Sequence, residues 1–200
     1  MKRVEWRWST ESARWQTGKG WEATKRPATL YADGNEYQKM HGFGACFNEL
    51  GYKALLQLNV EEQETLLREL FAPEKEGCIS NGAESYLYWN MILEPWGRST
   101  WGDPQNAMVT VDPGQKRAVF NPDFYVMKHF SNPIRPDAVR LGIKGHMAAD
   151  SLLFRNPDGS YVVEAFNPFP EEKDLIVELE GERLSFTLAG ESFNSMILQK

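Results

Sequence analysis

Tyr86-Leu-Tyr-Trp-Asn-Met-Ile-Leu-Glu-Pro-Trp-Gly-Arg-Ser-Thr-Trp-Gly102 opens the part of the chain that decides its fold. It runs on through Gln105-Asn-Ala-Met-Val-Thr-Val-Asp112 to Asn121-Pro-Asp-Phe-Tyr-Val-Met-Lys-His-Phe-Ser131 and Arg135-Pro-Asp-Ala-Val-Arg-Leu141. Tyr86 to Leu93 is apolar with little alternation, which predicts a strand buried on both faces. The segment after it, carrying Trp96 and Trp101, reads as a loop. Pro122 at an early helical position predicts a helix to Ser131, with Phe124, Met127, Lys128 and Phe130 partly inward. Pro133 and Pro136 end that helix.

Beyond Ala138 the pattern becomes short strands with turn punctuation. They are Val139 to Ile143, Ser151 to Arg155, Tyr161 to Asn167, Leu175 to Leu179, Leu184 to Leu188 and Phe193 to Leu198. Asn156-Pro-Asp-Gly159 is a strong hairpin signal, and strands at this spacing predict a β-sandwich. Upstream, residues 4 to 15 and 28 to 40 also read as strands, the second divided by an Asp33-Gly34 turn. Gly42 to Gly51 predicts another strand buried on both faces, with glycines where backbones approach closely. From Asn59 the period becomes helical: Asn59 is the N-cap, Glu61 and Glu62 suit the positive end, and Leu66, Leu67, Leu70 and Phe71 share a face. Pro73 stops it.

Composition narrows the function. At 200 residues and 22.9 kDa the chain holds one ordinary domain or two small ones. A net charge of −6 argues against a nucleic-acid partner. No apolar run approaches the ~18 residues of a membrane span, so no membrane partner is expected. The first 25 residues lack the apolar core of a signal peptide, which leaves localisation open. Cys46 and Cys78 read as buried free thiols, and His41, His129 and His146 are too scattered to ligate a metal. No metal and no cofactor are therefore expected. Seven Trp residues stand out, since flat aromatic faces stack on sugar rings as readily as they fill cores.

These motifs resemble glycoside hydrolase family 30, the group that includes glucosylceramidases and β-1,6-glucanases. Residues 36 to 76, through Tyr37-Gln38, Gly42-Phe-Gly-Ala-Cys-Phe-Asn-Glu-Leu-Gly51 and Leu70-Phe-Ala-Pro-Glu74, resemble the opening of that family's barrel. Residues 79 to 141 resemble its last strand, loop and helix. The resemblance implies an α+β chain in two parts. Residues 1–40 and 138–200 would form an accessory β-sandwich, and 41–137 a remnant of a (β/α)8 TIM barrel with only the first and last βα units. The deletion junction would lie near 77–78. A complete barrel takes about 250 residues, and the stretch between Phe71 and Tyr86 has no room for strands two to seven.

The chemistry implied by the resemblance is retaining β-glycoside hydrolysis. It needs a carboxylic acid at the leaving oxygen and a second carboxylate about 5–5.5 Å away to attack the anomeric carbon. In the family the acid lies in an Asn-Glu-Pro-like motif after strand four, and the nucleophile is a Glu after strand seven. Neither Asn35-Glu36 nor Asn48-Glu49 is followed by Pro, and Glu94-Pro95 matches the loop after the last strand. No catalytic residue is therefore carried over. A new pair of Glu49 and Glu94 is disfavoured because both would be solvated. Substrate-binding residues implied by the resemblance are Trp89, matching the family's aromatic at the −1 subsite, with Trp101 and Trp96 from the following loop. Asp103 stands where the family often has Trp, and Trp96 where it often has Gly.

Deletion creates a topological difficulty. Joining strand one through its helix to strand eight implies a left-handed crossover, whereas about 98% of such connections are right-handed. The two strands must accept that handedness, exchange places or fail to pair. Strain or mobility is expected at 72–84, and self-association through exposed barrel edges. The expected function is a family 30-like protein inactive alone, whose partner would be a β-linked glycan or glucoside. The alternative is a non-catalytic carbohydrate-binding β-sandwich protein.

Overall fold

The computed structural model describes residues 3–46, 49–71, 82–95, 97, 102–103 and 105–199, excluding the side chains of residues 49 and 68–71. The fold is mostly β with few helices. Its N-terminal strands are β1 (Arg3–Ser9), β2 (Gln16–Thr17), β3 (Glu22–Ala23), β4 (Leu30–Lys39) and β5 (Gly42–Ala45). Helices α1 (Glu49–Leu55) and α2 (Val60–Phe71) follow, then β6 (Ser85–Tyr88), β7 (Ile92–Leu93), β8 (Val109–Asp112) and β9 (Arg117–Phe120). Helix α3 (Pro122–Ser131) leads into β10 (Val139–Lys144), a 3-10 turn (Ala148–Asp150), β11 (Ser151–Arg155), β12 (Tyr161–Asn167), β13 (Lys173–Leu179), β14 (Glu182–Leu188) and β15 (Ser192–Gln199).

Ten strands make one sheet in the order β2-β1-β15-β12-β11-β10-β4-β13-β14-β3. Only the β13–β4 pairing is parallel. The sheet curls until its distant strands meet: Trp6 of β1 packs edge-on against Phe186 of β14, with ring centroids 5.6 Å apart. Inside the curl lie Trp6, Leu30, Val163, Leu175, Phe186, Met196 and Leu198, which form the main core. A smaller cluster on the other face joins Phe154 and Val162 to Met40, Ile134 and Ala138. Strand β12 therefore buries residues on both faces.

A second core gathers Ala54, Leu55, Leu58 and Leu66 from the α1–α2 region, Met91, Ile92, Met108, Val109 and Val111 from the small strands, and Phe124 and Met127 from α3. It is attended by two small sheets, β5–β6 in parallel and β7–β8–β9. Asn59 caps α2 as its position predicts. Its Oδ1 accepts the Glu62 amide at 2.9 Å, and its Nδ2 donates to Glu62 Oε2 at 3.1 Å. Leu66 is fully buried. Every C-terminal strand and the Asn156–Gly159 hairpin lie where the sequence puts them.

Five expectations need correction. First, Asp33-Gly34 is no hairpin turn, because β4 runs unbroken from Leu30 to Lys39. Gly34 takes a φ of +88°, and Glu36 and Ala32 pair with Leu141 and Ile143, so Asp33 and Gly34 form a bulge. Second, the strand expected over Gly42–Gly51 ends at Ala45, is only half-buried, and gives way to α1. Third, Tyr86–Leu93 breaks into two strands, and Tyr86, Leu87 and Trp89 are exposed. Fourth, the segment to Asp112 read as loop contains β8, which pairs with β7 and β9. Fifth, Cys46 is half-buried, where a fully buried thiol was expected.

Strands β5 and β6 do pair. Gly42–Ala45 runs parallel to Ser85–Tyr88 in continuous register, so failure to pair is ruled out. Residues 72–81, where strain and the junction at 77–78 were expected, lie outside the described residues, as does Cys78.

Candidate functional site

The parallel pairing of β5 and β6 leads directly to a cleft. Beyond β6, the Cys46 amide donates to Tyr88 O at 2.9 Å and the Met91 amide to Cys46 O at 3.0 Å. The chain alternates here: Tyr88 packs on the second core, Trp89 faces solvent and Asn90 turns inward. Trp89 is 69% exposed, an unusual position for so large an apolar ring.

Asn90 holds the loop that follows. Its Nδ2 donates to Gln105 Oε1 at 3.0 Å and Asn106 O at 3.1 Å, while Oδ1 is buried with no hydrogen-bond partner among the described residues. Asn121 does the same from the other wall, donating to Ala107 O and Thr110 Oγ1, both at 2.8 Å. Beside Asn121 and the loop that Asn90 holds opens a cleft of about 500 Å³, with Glu94, Gln105, Asn106, Thr110, Asn121 and Asp123 among its lining residues. Asp123 stands in the first turn of α3, where the helix dipole favours a carboxylate. The Tyr88 hydroxyl is pushed up to about 12, first by burial and then by the charge and hydrogen bond of Asp123. It is therefore a neutral hydrogen-bond donor at any physiological pH.

The cleft offers two carboxylates and a shelf of amides, and Trp89 separately presents an exposed indole. Sequence reasoning singled out Trp89 and discussed Glu94, which lines the cleft and is exposed. It missed Asp123, whose place two residues into a Pro-initiated helix was the available signal. Trp96 and Trp101 lie outside the described residues, and so does the Glu49 side chain, so no Glu49–Glu94 geometry arises. Glu36 serves elsewhere, paired with Arg155 at 2.6 Å. Among the described residues no group of His, Cys, Asp and Glu side chains could hold a metal, and no helix is long and apolar enough to cross a membrane.

No family model matches the chain. It is 34% identical over 93 residues to a Caenorhabditis elegans protein named putative glucosylceramidase 1, a match covering 44% of this chain and 18% of that one. It is 30% identical over 96 residues to putative glucosylceramidase 2 of the same organism, covering 46% and 19%. The aligned region thus spans about a fifth of the length of the curated relatives it matches. Among solved structures, SrfJ from Salmonella typhimurium superposes with a TM-score of 0.56 at 21% identity, over 60% of this chain and 27% of that one. An endo-β1,6-glucanase superposes with a TM-score of 0.55 at 24% identity, over 60% and 28%. Both likenesses speak to the fold.

Proposed function

We infer, from a chain that is glycoside hydrolase family 30-like, that it descends from a retaining β-glycosidase and does not hydrolyse glycosides by itself. On this reading residues 1–40 and 138–200 correspond to the accessory β-sandwich, and 41–137 to the first and last units of a TIM barrel. Its parent's substrate class would be a β-linked glycan or glucoside, of the glucosylceramide or β-glucan type. The observation that carries the inactivity is the state of the carboxylates. Neither family motif for the catalytic pair exists in this sequence, and Glu94 is solvent-exposed at the cleft. A general acid needs an enclosed, water-excluding site, and Glu94 lies open to solvent.

The test is hydrolysis of fluorogenic β-glucoside, β-xyloside and β-fucoside by the purified chain. We expect no turnover above the buffer rate. Turnover abolished by Glu94→Gln or Asp123→Asn would establish a working carboxylate pair and overturn the reading.

A second reading, glycan binding without cleavage, draws support from the exposed indole of Trp89 and from the presence of an amide-lined cleft. Trp96 and Trp101 would extend that surface. Saturable quenching of Trp fluorescence by β-glucan oligosaccharides, lost in Trp89→Ala, is expected if it holds. Unsaturable or Trp89-independent quenching would sink it.

A further inference from the structure

Far from the cleft, a chain of buried polar groups ties α3 to the large sheet, and its hydrogens can be counted. Ser195 on β15 places its Oγ 2.7 Å from His129 Nδ1, 3.1 Å from the His129 carbonyl and 2.6 Å from Glu164 Oε2. The hydroxyl has one hydrogen to give. In a helix the His129 carbonyl would accept the amide four residues on, but that residue is Pro133, which has none. The Asn132 amide is already committed to Lys128 O. The Ser195 hydrogen is therefore the donor that satisfies the His129 carbonyl at this buried helix end.

Two consequences follow at once. His129 Nδ1 must carry a hydrogen and donate to Ser195, leaving Nε2 as an acceptor. Nε2 lies 2.8 Å from the Ser9 hydroxyl, which donates to it and itself accepts the Trp15 amide at 2.9 Å. Glu164 Oε2 then meets Ser195 Oγ with no hydrogen left on the serine. A 2.6 Å contact between two bare acceptors is repulsive, so the hydrogen in it must belong to Glu164.

We propose that Glu164 is a carboxylic acid in the folded protein and that its proton latches α3 onto the ten-stranded sheet, opening the latch when alkali removes it. Deprotonation sends the Glu164 hydrogen to solvent base. The Ser195 hydrogen then turns to the new carboxylate, and the His129 carbonyl is left without a donor. Since Pro122 and Asp123 at the other end of α3 line the cleft, one wall of the candidate site rests on this latch.

The surroundings favour the neutral acid. Glu164 is fully buried, and burial raises its carboxyl well above the usual range. Around it on the 3-10 turn, β11, β15 and α3 stand Asp150, Ser151, Leu152, Phe193 and Phe130, a set that contains one acid and no base. Lys128, beside His129, reaches over the Trp15 ring, 4.9 Å from its centroid. Glu5 and Arg7 of β1 lie near Ser195, and Glu11, Arg14 and Glu191 near His129. None of them pairs with Glu164 in a described ion pair.

The sign follows from linkage. A carboxyl whose folded pKa is raised contributes stability that is complete below the ordinary glutamate range and is lost as pH rises towards the folded value. Glu164→Gln keeps the shape, donates permanently to Ser195 and cannot ionise. Urea midpoints of the full chain should fall as pH rises above the ordinary glutamate range in the wild type, by more than in Glu164→Gln. An infrared band of a protonated carboxylic acid, present at pH 7 and absent from Glu164→Gln, should accompany this. Parallel pH curves for the two proteins, or no such band in the wild type, would overturn the proposal. The infrared measurement on the wild type decides it even if the variant fails to fold.

Discussion

Strands β12 and β6 are written in the same vocabulary and meet opposite fates. Tyr161-Val-Val-Glu-Ala-Phe-Asn167 lies between β11 and β15, and all of its residues except Phe166 are buried. Ser85-Tyr-Leu-Tyr88 pairs with β5 alone, and Leu87 remains 76% exposed. Burial of an apolar strand is thus a property of its neighbours as much as of its residues. The large sheet supplies neighbours to its inner strands both from hairpins such as β11–β12 and from strands distant in sequence such as β1 and β15. Among the described residues the small β5–β6 sheet has two open edges, which are open to further pairing.

The sharpest way to break the comparison is to remove a large side chain from each region. Phe186, fully buried opposite Trp6, should cost about 3–5 kcal/mol when changed to Ala. Leu87→Ala should change stability by no more than about 0.5 kcal/mol. Chemical denaturation of both variants measures this. A loss at Leu87 comparable with that at Phe186 would mean β6 is covered in solution, by a second copy or another chain.

Acid should separate the regions next. His129, buried among Ser9, Ser195 and Trp15, is held down to about 3, first by burial and then by the neighbouring Lys128 charge. In the unfolded chain it takes a proton near its ordinary value of 6.5, which the folded protein refuses until far lower pH. Stability is therefore complete above about pH 6.5 and lost as pH falls, by ~3 kcal/mol at pH 4. His129→Gln should flatten this limb when urea unfolding is compared at the two pH values. The lowered carboxylates Asp33, Asp158 and Asp174 remain in both proteins and cancel from the difference.

Within the second core, local chemistry should matter more than in the sheet. Asn59→Ala removes the hydrogen bond to the Glu62 amide and should cost about 1 kcal/mol. Thermal unfolding checks it, and an unchanged midpoint would mean that α2 is not part of the cooperative unit.

What could be read in the sequence tracks the range of the forces involved. Strands β11 to β15 were legible almost to the residue, because hairpin turns such as Asn156–Gly159 and period-two patterning are local signals. The α2 cap was legible for the same reason. The Asp33-Gly34 bulge was not, since those residues are as suited to a hairpin turn, and only the register against β10 decides between them. The break after Tyr88 was hidden because the run Tyr86 to Leu93 is apolar but for Asn90, and a single Asn does not by itself end a strand. The role of His129 was also hidden. Its two partners are Ser9 and Ser195, the latter also reaching the His129 carbonyl that Pro133 leaves free, and no spacing connects them. Trp89 was picked out by motif, and Asp123 was overlooked because a first-turn Asp is ordinary helix chemistry.

The smallest expected stability effect is the most telling for function. Trp89 makes little of the fold, being 69% exposed, so Trp89→Ala should leave the urea midpoint within about 0.5 kcal/mol of wild type. Large aromatic rings are retained at such positions where something stacks on them. If the cleft retains a glycan subsite, the same substitution should abolish saturable binding of β-glucan oligosaccharides while leaving the fold intact. If stability falls instead, with binding absent from the wild type as well, Trp89 is a packing residue whose neighbour is a strand from another polypeptide. The open edge of β6 is then the place to look for it.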